Sequence, residues 1–245
     1  MAKHGLNPQE ASGKTSTWQR LKKNVFFAFF LDLLSIVAVA LVLSLLVKTF
    51  LVRSFFIPSD SMNNTLVQQD RIIVNELVPN IVPLNRGDVV VFRDPGDWLG
   101  PITTKPANPV AGAVDWFLSA FGFTAPDSEQ HLVKRVIGVA GDHIVCTAVS
   151  AKLQINGHTI TEPYLAPASD PCGMIFDVTV PKGKFWVMGD NRNNSADSRY
   201  HQDLPSKGFV DSQYVVGRAF VLSWPFSHFK WLDDYPNVFK DLSKP

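Results

Sequence analysis

Val25 to Val47 is an apolar stretch of 23 residues that carries a single charge, Asp32. At 1.5 Å per residue it makes a helix about 35 Å long, enough to cross a bilayer. A cleaved signal sequence needs only about 7–15 apolar residues, ending in small ones. This run is longer, and Lys48-Thr49-Phe50-Leu51-Val52 offers no pair of small residues for such a cut. Residues 25–48 are therefore expected to be a retained transmembrane anchor. Residues 1–24 are polar, with Lys3, Lys14, Arg20, Lys22 and Lys23 against one acid, Glu10. They cannot build a core and read as a cytoplasmic tail. The positive flank puts the N-terminus inside and residues 49–245 outside, in a single-pass protein of the cytoplasmic membrane.

The part beyond the anchor is long enough for one domain with a sizeable core. A formal net charge of +1 excludes the strong basic excess of a nucleic-acid reader. Its pattern is mainly β. Arg71–Asn75, Asp88–Phe92, His143–Val145, Phe185–Met188 and Tyr214–Leu222 are short and rich in β-branched residues. Leu153–Ile155 and His158–Ile160 flank Asn156-Gly157, a two-residue hairpin signal. Residues 93–131 interrupt the strands with five prolines, Pro95, Pro101, Pro106, Pro109 and Pro126. They read as an insertion whose apolar stretch Ala113–Phe123 is either core or a lid or membrane-docking segment. Cys146 and Cys172 lie 26 apart on either side of the hairpin. Outside the membrane, a disulfide between them is expected.

Amide hydrolysis needs a nucleophile, a base, and donors for the developing oxyanion. Neither G-x-S-x-G nor H-E-x-x-H occurs, and the six histidines are scattered. A lysine can take the place of histidine. It must then lose about three units from its usual pKa near 10.4, which desolvation supplies. Lys134 has apolar neighbours, Leu132-Val133 before it and Val136-Ile137 after Arg135. Arg135 should point to the other face of the strand. Ser61, about a dozen residues past the anchor, is the serine best placed to pair with Lys134.

Three segments, in this order behind an anchor, resemble bacterial signal peptidase I, and most of all its actinobacterial members. They are Phe55-Phe56-Ile57-Pro58-Ser59-Asp60-Ser61-Met62, Leu132 to Asp142, and Met188 to Arg199. The resemblance implies a signal-peptidase-like β domain and a serine endopeptidase working by a Ser–Lys dyad, without metal or organic cofactor. It implies Ser61 as nucleophile and Lys134 as general base. Ser59 would join the Ser61 N–H in the oxyanion hole, and Ser195 would orient the lysine. Asp197 and Arg199 would form a structural ion pair beside the site, with Asp190 nearby. Phe55, Ile57, Pro58, Met62, Ile72 and Val133 would line shallow pockets for small side chains at substrate positions −1 and −3. Secretory preproteins are the implied substrates, the lipid bilayer a partner, and the secretion translocon a further partner this reading admits. Asp60, Asn64 and Asn193 stand where glycine, proline and aspartate are common in the family. Two other readings use the same residues: a catalytically inactive, membrane-tethered peptide-binding module, and a Ser–Lys self-cleaving regulator. The second would need a DNA-binding head, for which residues 1–24 are too short.

Overall fold

The computed structural model describes residues 25–100 and 131–242. The tail, residues 1–24, and the apolar stretch Ala113–Phe123 lie outside the described residues. The chain divides after Leu46 into two compact units. The first is built on helix α1 (Val25–Phe50), whose Phe27–Ser44 portion is unburied and long and apolar enough to cross a membrane. A helix with apolar residues all round is suited to lipid as its solvent.

The second unit is mainly β. Its strands are β1 (Val52–Phe56), β2 (Arg71–Asn75), β3 (Val89–Arg93), β4 (His131–Gly138), β5 (His143–Cys146), β6 (Gln154–Ile155), β7 (His158–Thr159), β8 (Phe176–Thr179), β9 (Lys184–Met188), β10 (Val210–Asp211), β11 (Val215–Trp224) and β12 (Lys230–Trp231). A one-turn helix, α2 (Pro236–Phe239), follows. The larger sheet runs β1-β2-β11-β3-β4-β9-β10, with β12 on β11; the smaller runs β7-β6-β5-β8. Every pairing in both is antiparallel. The Asn156-Gly157 hairpin forms as its sequence requires, with φ of 52° and 80° at the two turn residues.

Four strands lie outside the sequence expectation: β1, β8, β10 and β12. β10 and β12 have two residues each, too few for a period to show. β1 follows the anchor directly, so no polar break announces it. Its register, Phe55 opposite Ile72 and Phe56 opposite Arg71, brings the chain to Ser61 beside the sheet.

Three buried clusters hold this unit. Phe55, Ile57, Met62, Ile72, Val91 and Val133 belong to the one beneath the serine loop. Val90, Phe92, Leu132, Val136 and Val187 belong to a second across β3, β4 and β9. The third includes Ile144, Leu153, Phe176 and Trp186 and encloses a disulfide joining Cys146 to Cys172. At the root of the insertion, Asp94 accepts hydrogen bonds from the N–H groups of Gly96, Trp98 and Leu99. Trp98 packs edge-on against Phe92 and stacks on His201, 4.3 Å between centroids.

Candidate active site

Ser61 sits in the loop between β1 and β2. The loop closes on itself where Thr65 and Leu66 both donate from N–H to the Met62 carbonyl. Met62 and Leu66, one helical turn apart, sink into the core and fix the loop's height above the sheet. Its two ends are tied by Ile57 N–H to Asp70 O and Gln69 N–H to Ile57 O, both 2.9 Å.

Lys134 lies in β4, opposite Val90 of β3. Its Nζ is 2.7 Å from Ser61 Oγ and 3.1 Å from the Val133 carbonyl. The lysine is 4% exposed and the serine 7%. Burial pushes the Lys134 pKa down from 10.5 to about 8, against the pull of the Asp197 and Asp190 carboxylates, with Arg199 reinforcing the fall. Desolvation disfavours the ammonium, so a neutral amine becomes accessible near neutral pH. Ser59, at the exposed edge of the loop, donates from Oγ to Ser61 Oγ at 3.3 Å.

The turn after β9 packs onto the serine from the other side. Asn191 donates from N–H to the Ser61 carbonyl and from Nδ2 to the Asp60 carbonyl, each 3.1 Å. A Cβ on Gly189 would collide with the Ser61 carbonyl and with Ser195, so only glycine permits this approach. Gly189 N–H in turn donates to Asp197 at 3.0 Å. Asp197 and Arg199 form a bidentate buried pair, both contacts 2.9 Å. Burial works against the Asp197 charge, but Arg199 and Gly189 N–H hold its carboxyl below the usual range.

Ser195 departs from expectation: it makes no hydrogen bond to Lys134. Its buried Oγ has no bond of good geometry, although it is close enough to Asp197 to favour that carboxylate's charged form. Gly189 stands between it and the Ser61 backbone, and the contacts of Lys134 Nζ go to Ser61 and Val133.

The residues expected to line substrate pockets divide in two. Phe55, Ile57, Met62 and Ile72 are at most 2% exposed, so they back the site from beneath as core. Pro58 is exposed, and Val133 keeps 8% of its surface. A cavity of about 540 Å³ lined by Asp88, Arg218, Phe220 and Trp231 lies elsewhere on the domain and touches neither Ser61 nor Lys134. Among the described residues, no three His, Cys, Asp or Glu side chains cluster to hold a metal.

Sequence reasoning missed the group that joins the three segments. Arg135 takes different partners from its neighbour Lys134: it is fully buried and grips Asp190 through Nε (2.9 Å) and Nη2 (2.7 Å). Thr65 donates to Asp190 at 2.5 Å, and the Arg135 guanidinium lies 4.2 Å over the Tyr164 ring. A buried pair of this kind is worth little against an apolar replacement but costs much if half of it is removed. A second pair, Arg192 with Glu162, is also buried. The Lys-Arg doublet inside an apolar strand was the available signal.

Two departures from the family pattern have local explanations. Asn64 adopts φ of 84°, which a proline ring forbids, and its Nδ2 donates to the Tyr164 and Leu165 carbonyls at 3.0 and 3.1 Å. Asn193 bridges the Asp170 N–H and the Ala168 carbonyl, each 3.0 Å.

Residues 30–224 match the family described as "Signal peptidase, peptidase S26". A signal peptidase I of Mycobacterium tuberculosis is 41% identical over 207 residues, which cover 76% of this chain and 70% of the relative. A probable signal peptidase I of Mycobacterium leprae is 38% identical over 220 residues, 79% of this chain and 75% of that one. The solved structure of a signal peptidase I from Enterococcus faecalis is 26% identical and covers 55% of this chain and 95% of that one, at a TM-score of 0.35.

Proposed function

The chain belongs to the signal peptidase family, peptidase S26, and on that premise we propose that Ser61 and Lys134 carry its reaction as nucleophile and general base. The protein is a membrane-anchored serine peptidase that cleaves signal peptides. The 2.7 Å contact between Ser61 Oγ and a buried Lys134 Nζ carries the assignment.

With Lys134 neutral, its lone pair accepts the Ser61 hydroxyl proton as Oγ attacks the scissile carbonyl carbon. Negative charge moves to the carbonyl oxygen. The Ser61 N–H, which no described residue accepts, and the Ser59 hydroxyl are the donors placed to receive it. Collapse breaks the C–N bond, and the Lys134 ammonium returns its proton to the departing amine. The signal peptide is left as an ester on Ser61. Water then attacks the ester carbonyl, giving a proton to Lys134. The bond from the carbonyl carbon to Oγ breaks, the ammonium returns the proton to Ser61 Oγ, and the signal peptide leaves with a terminal carboxyl group.

The substrate lies extended beside β4. Residues 132–133 pair with β3 on one side, and β9 begins its pairing only at Arg135. Along the other edge of β4 next to the dyad, no described strand pairs with Leu132 and Val133, and an extended substrate would fit there. Val133 lies on this edge and the exposed Pro58 in the serine loop, and we assign both to the pockets for small side chains at −1 and −3. Helix α1 spans the cytoplasmic membrane once, with residues 1–24 inside and the peptidase domain, residues 49–245, outside. Trp224, Phe226, Phe229 and Trp231 are 49–76% exposed, a composition suited to the lipid interface. Secretory preproteins emerging from the translocon are the substrates.

Incubation of the purified full-length chain with a preprotein tests this reading. The parent should release the mature protein with a new N-terminus, and Ser61→Ala and Lys134→Ala should not. Cleavage by either variant would remove the mechanism.

A further inference from the structure

The disulfide sits in the small-sheet core, yet its loop reaches the site. The Cys172 carbonyl accepts from Arg199 Nη1 at 2.9 Å, and the Pro171 carbonyl accepts from Arg192 Nη1 at 2.5 Å. Asp170 caps the same loop, accepting from the Cys172 and Gly173 N–H groups at 3.0 Å each. Arg199 is thereby clamped between this loop, the Arg192 carbonyl at 2.9 Å, and Asp197. Asp197 holds Gly189 N–H, and Gly189 carries the close approach to Ser61. The path from bridge to dyad is therefore an unbroken series of buried contacts.

From this connectivity we infer that the Cys146–Cys172 disulfide is a positioning element for the catalytic pair, acting through the Cys172 carbonyl, Arg199 and Asp197. The inference rests on the Ser–Lys reading. Without the bridge, the covalent tie of residues 170–173 to β5 is gone, and the Cys172 carbonyl that Arg199 meets is held by hydrogen bonds alone. Of the charges around Lys134, Asp197 has the largest effect and favours the ammonium, outweighing the opposing effect of Arg199. Arg199 is the member that the bridge holds. Letting it drift weakens a charge that opposes the ammonium, while Asp197 stays held by Gly189 N–H, so the lysine's affinity for protons rises and its aim at Ser61 blurs. A disulfide forms in oxidising compartments. The dyad would thus be fully aligned only after the domain has left the reducing cytoplasm.

The test is a steady-state pH profile on a preprotein, using the full-length chain in detergent micelles. Cys146→Ala with Cys172→Ala removes the bridge. Gly173→Ala keeps it but places a Cβ 2.7 Å from Arg199 Nη1. For the double variant the plateau kcat should fall about tenfold with KM little changed, since misplacement of about an ångström is costly in rate. The rising limb should move to higher pH, the sign set by the weakened effect of Arg199 on Lys134. Gly173→Ala should show the same two changes, smaller. If both variants keep the parent's plateau and limb and lose only thermal stability, the bridge is structural and the inference fails. If the double variant does not fold, the parent folded with its bridge and then reduced takes its place, and Gly173→Ala tests the contact with Arg199. Failure of the Ser–Lys reading would look different: Ser61→Ala would cleave, or the bridged parent would not.

Discussion

Replacing Lys134 by Met should inactivate the peptidase and stabilise its fold at neutral pH. In the folded protein the lysine, 4% exposed, titrates near pH 8 rather than 10.5. Between those values the unfolded chain holds a proton that the folded chain has released. Stability conferred by this residue therefore rises with pH across that window. Below about pH 8 both states are protonated, and the fold carries a buried ammonium at a constant cost. The fall from 10.5 to about 8 corresponds to roughly 3 kcal/mol, at about 1.36 kcal/mol for each tenfold change in the proton equilibrium. Methionine has a similar stem and no charge, so Lys134→Met removes that cost. Urea unfolding of parent and variant in the same micelles, at pH 6.5 and at pH 10.5, isolates the effect, because every other titration cancels in the difference. The variant should be more stable by about 3 kcal/mol at the lower pH and by less than about 0.5 at the higher. A difference that does not change with pH, or a variant less stable at pH 6.5, would refute the buried-ammonium account.

The same burial fixes the pH dependence of the reaction. Because only the neutral amine accepts the Ser61 proton, kcat/KM should rise through about pH 8; a limb near 10 would mean a solvated lysine. Asp190→Asn leaves the buried Arg135 guanidinium without its counter-charge and should cost about 3–5 kcal/mol in an unfolding titration, whereas a loss under about 1 kcal/mol would show that water reaches it. Ser195→Ala, which breaks no hydrogen bond to Lys134, should retain far more activity than Lys134→Ala; equal loss in single-turnover assays would give Ser195 a direct part. Protease added to intact spheroplasts should digest residues 49–245 and spare an N-terminal tag, and the reverse pattern would overturn the topology.

The sequence made some of this legible and hid the rest for physical reasons. The anchor, the Asn156-Gly157 hairpin and the strands β2, β3, β5, β9 and β11 follow from local pattern, because their side chains report directly which surroundings they need. The meeting of Ser61 with Lys134 is different. The two are 73 residues apart and are brought together by the loop between β1 and β2 standing over β4, which no local period encodes. Family resemblance supplied that pairing, and the geometry is consistent with it. Arginine is ordinarily a surface residue: the apolar strand around Arg135 was a signal of its burial, but only tertiary contact shows the buried carboxylate waiting for it and for Arg192. The positive φ of Asn64 is likewise invisible until the loop closes on the Tyr164 and Leu165 carbonyls. The division of the pocket residues has the same origin: an apolar residue needed for the core and one needed for a substrate read alike.

The central claim is that the Ser61 oxygen, activated by Lys134, becomes bonded to the signal peptide's terminal carbonyl. Rapid acid quench during turnover of a preprotein, followed by peptide mass mapping, tests it directly. The expected product is an ester adduct of the signal-peptide fragment on the peptide containing Ser61, absent from Ser61→Ala and from Lys134→Ala. An adduct on another residue, or the same cleavage products from Ser61→Ala, would contradict it.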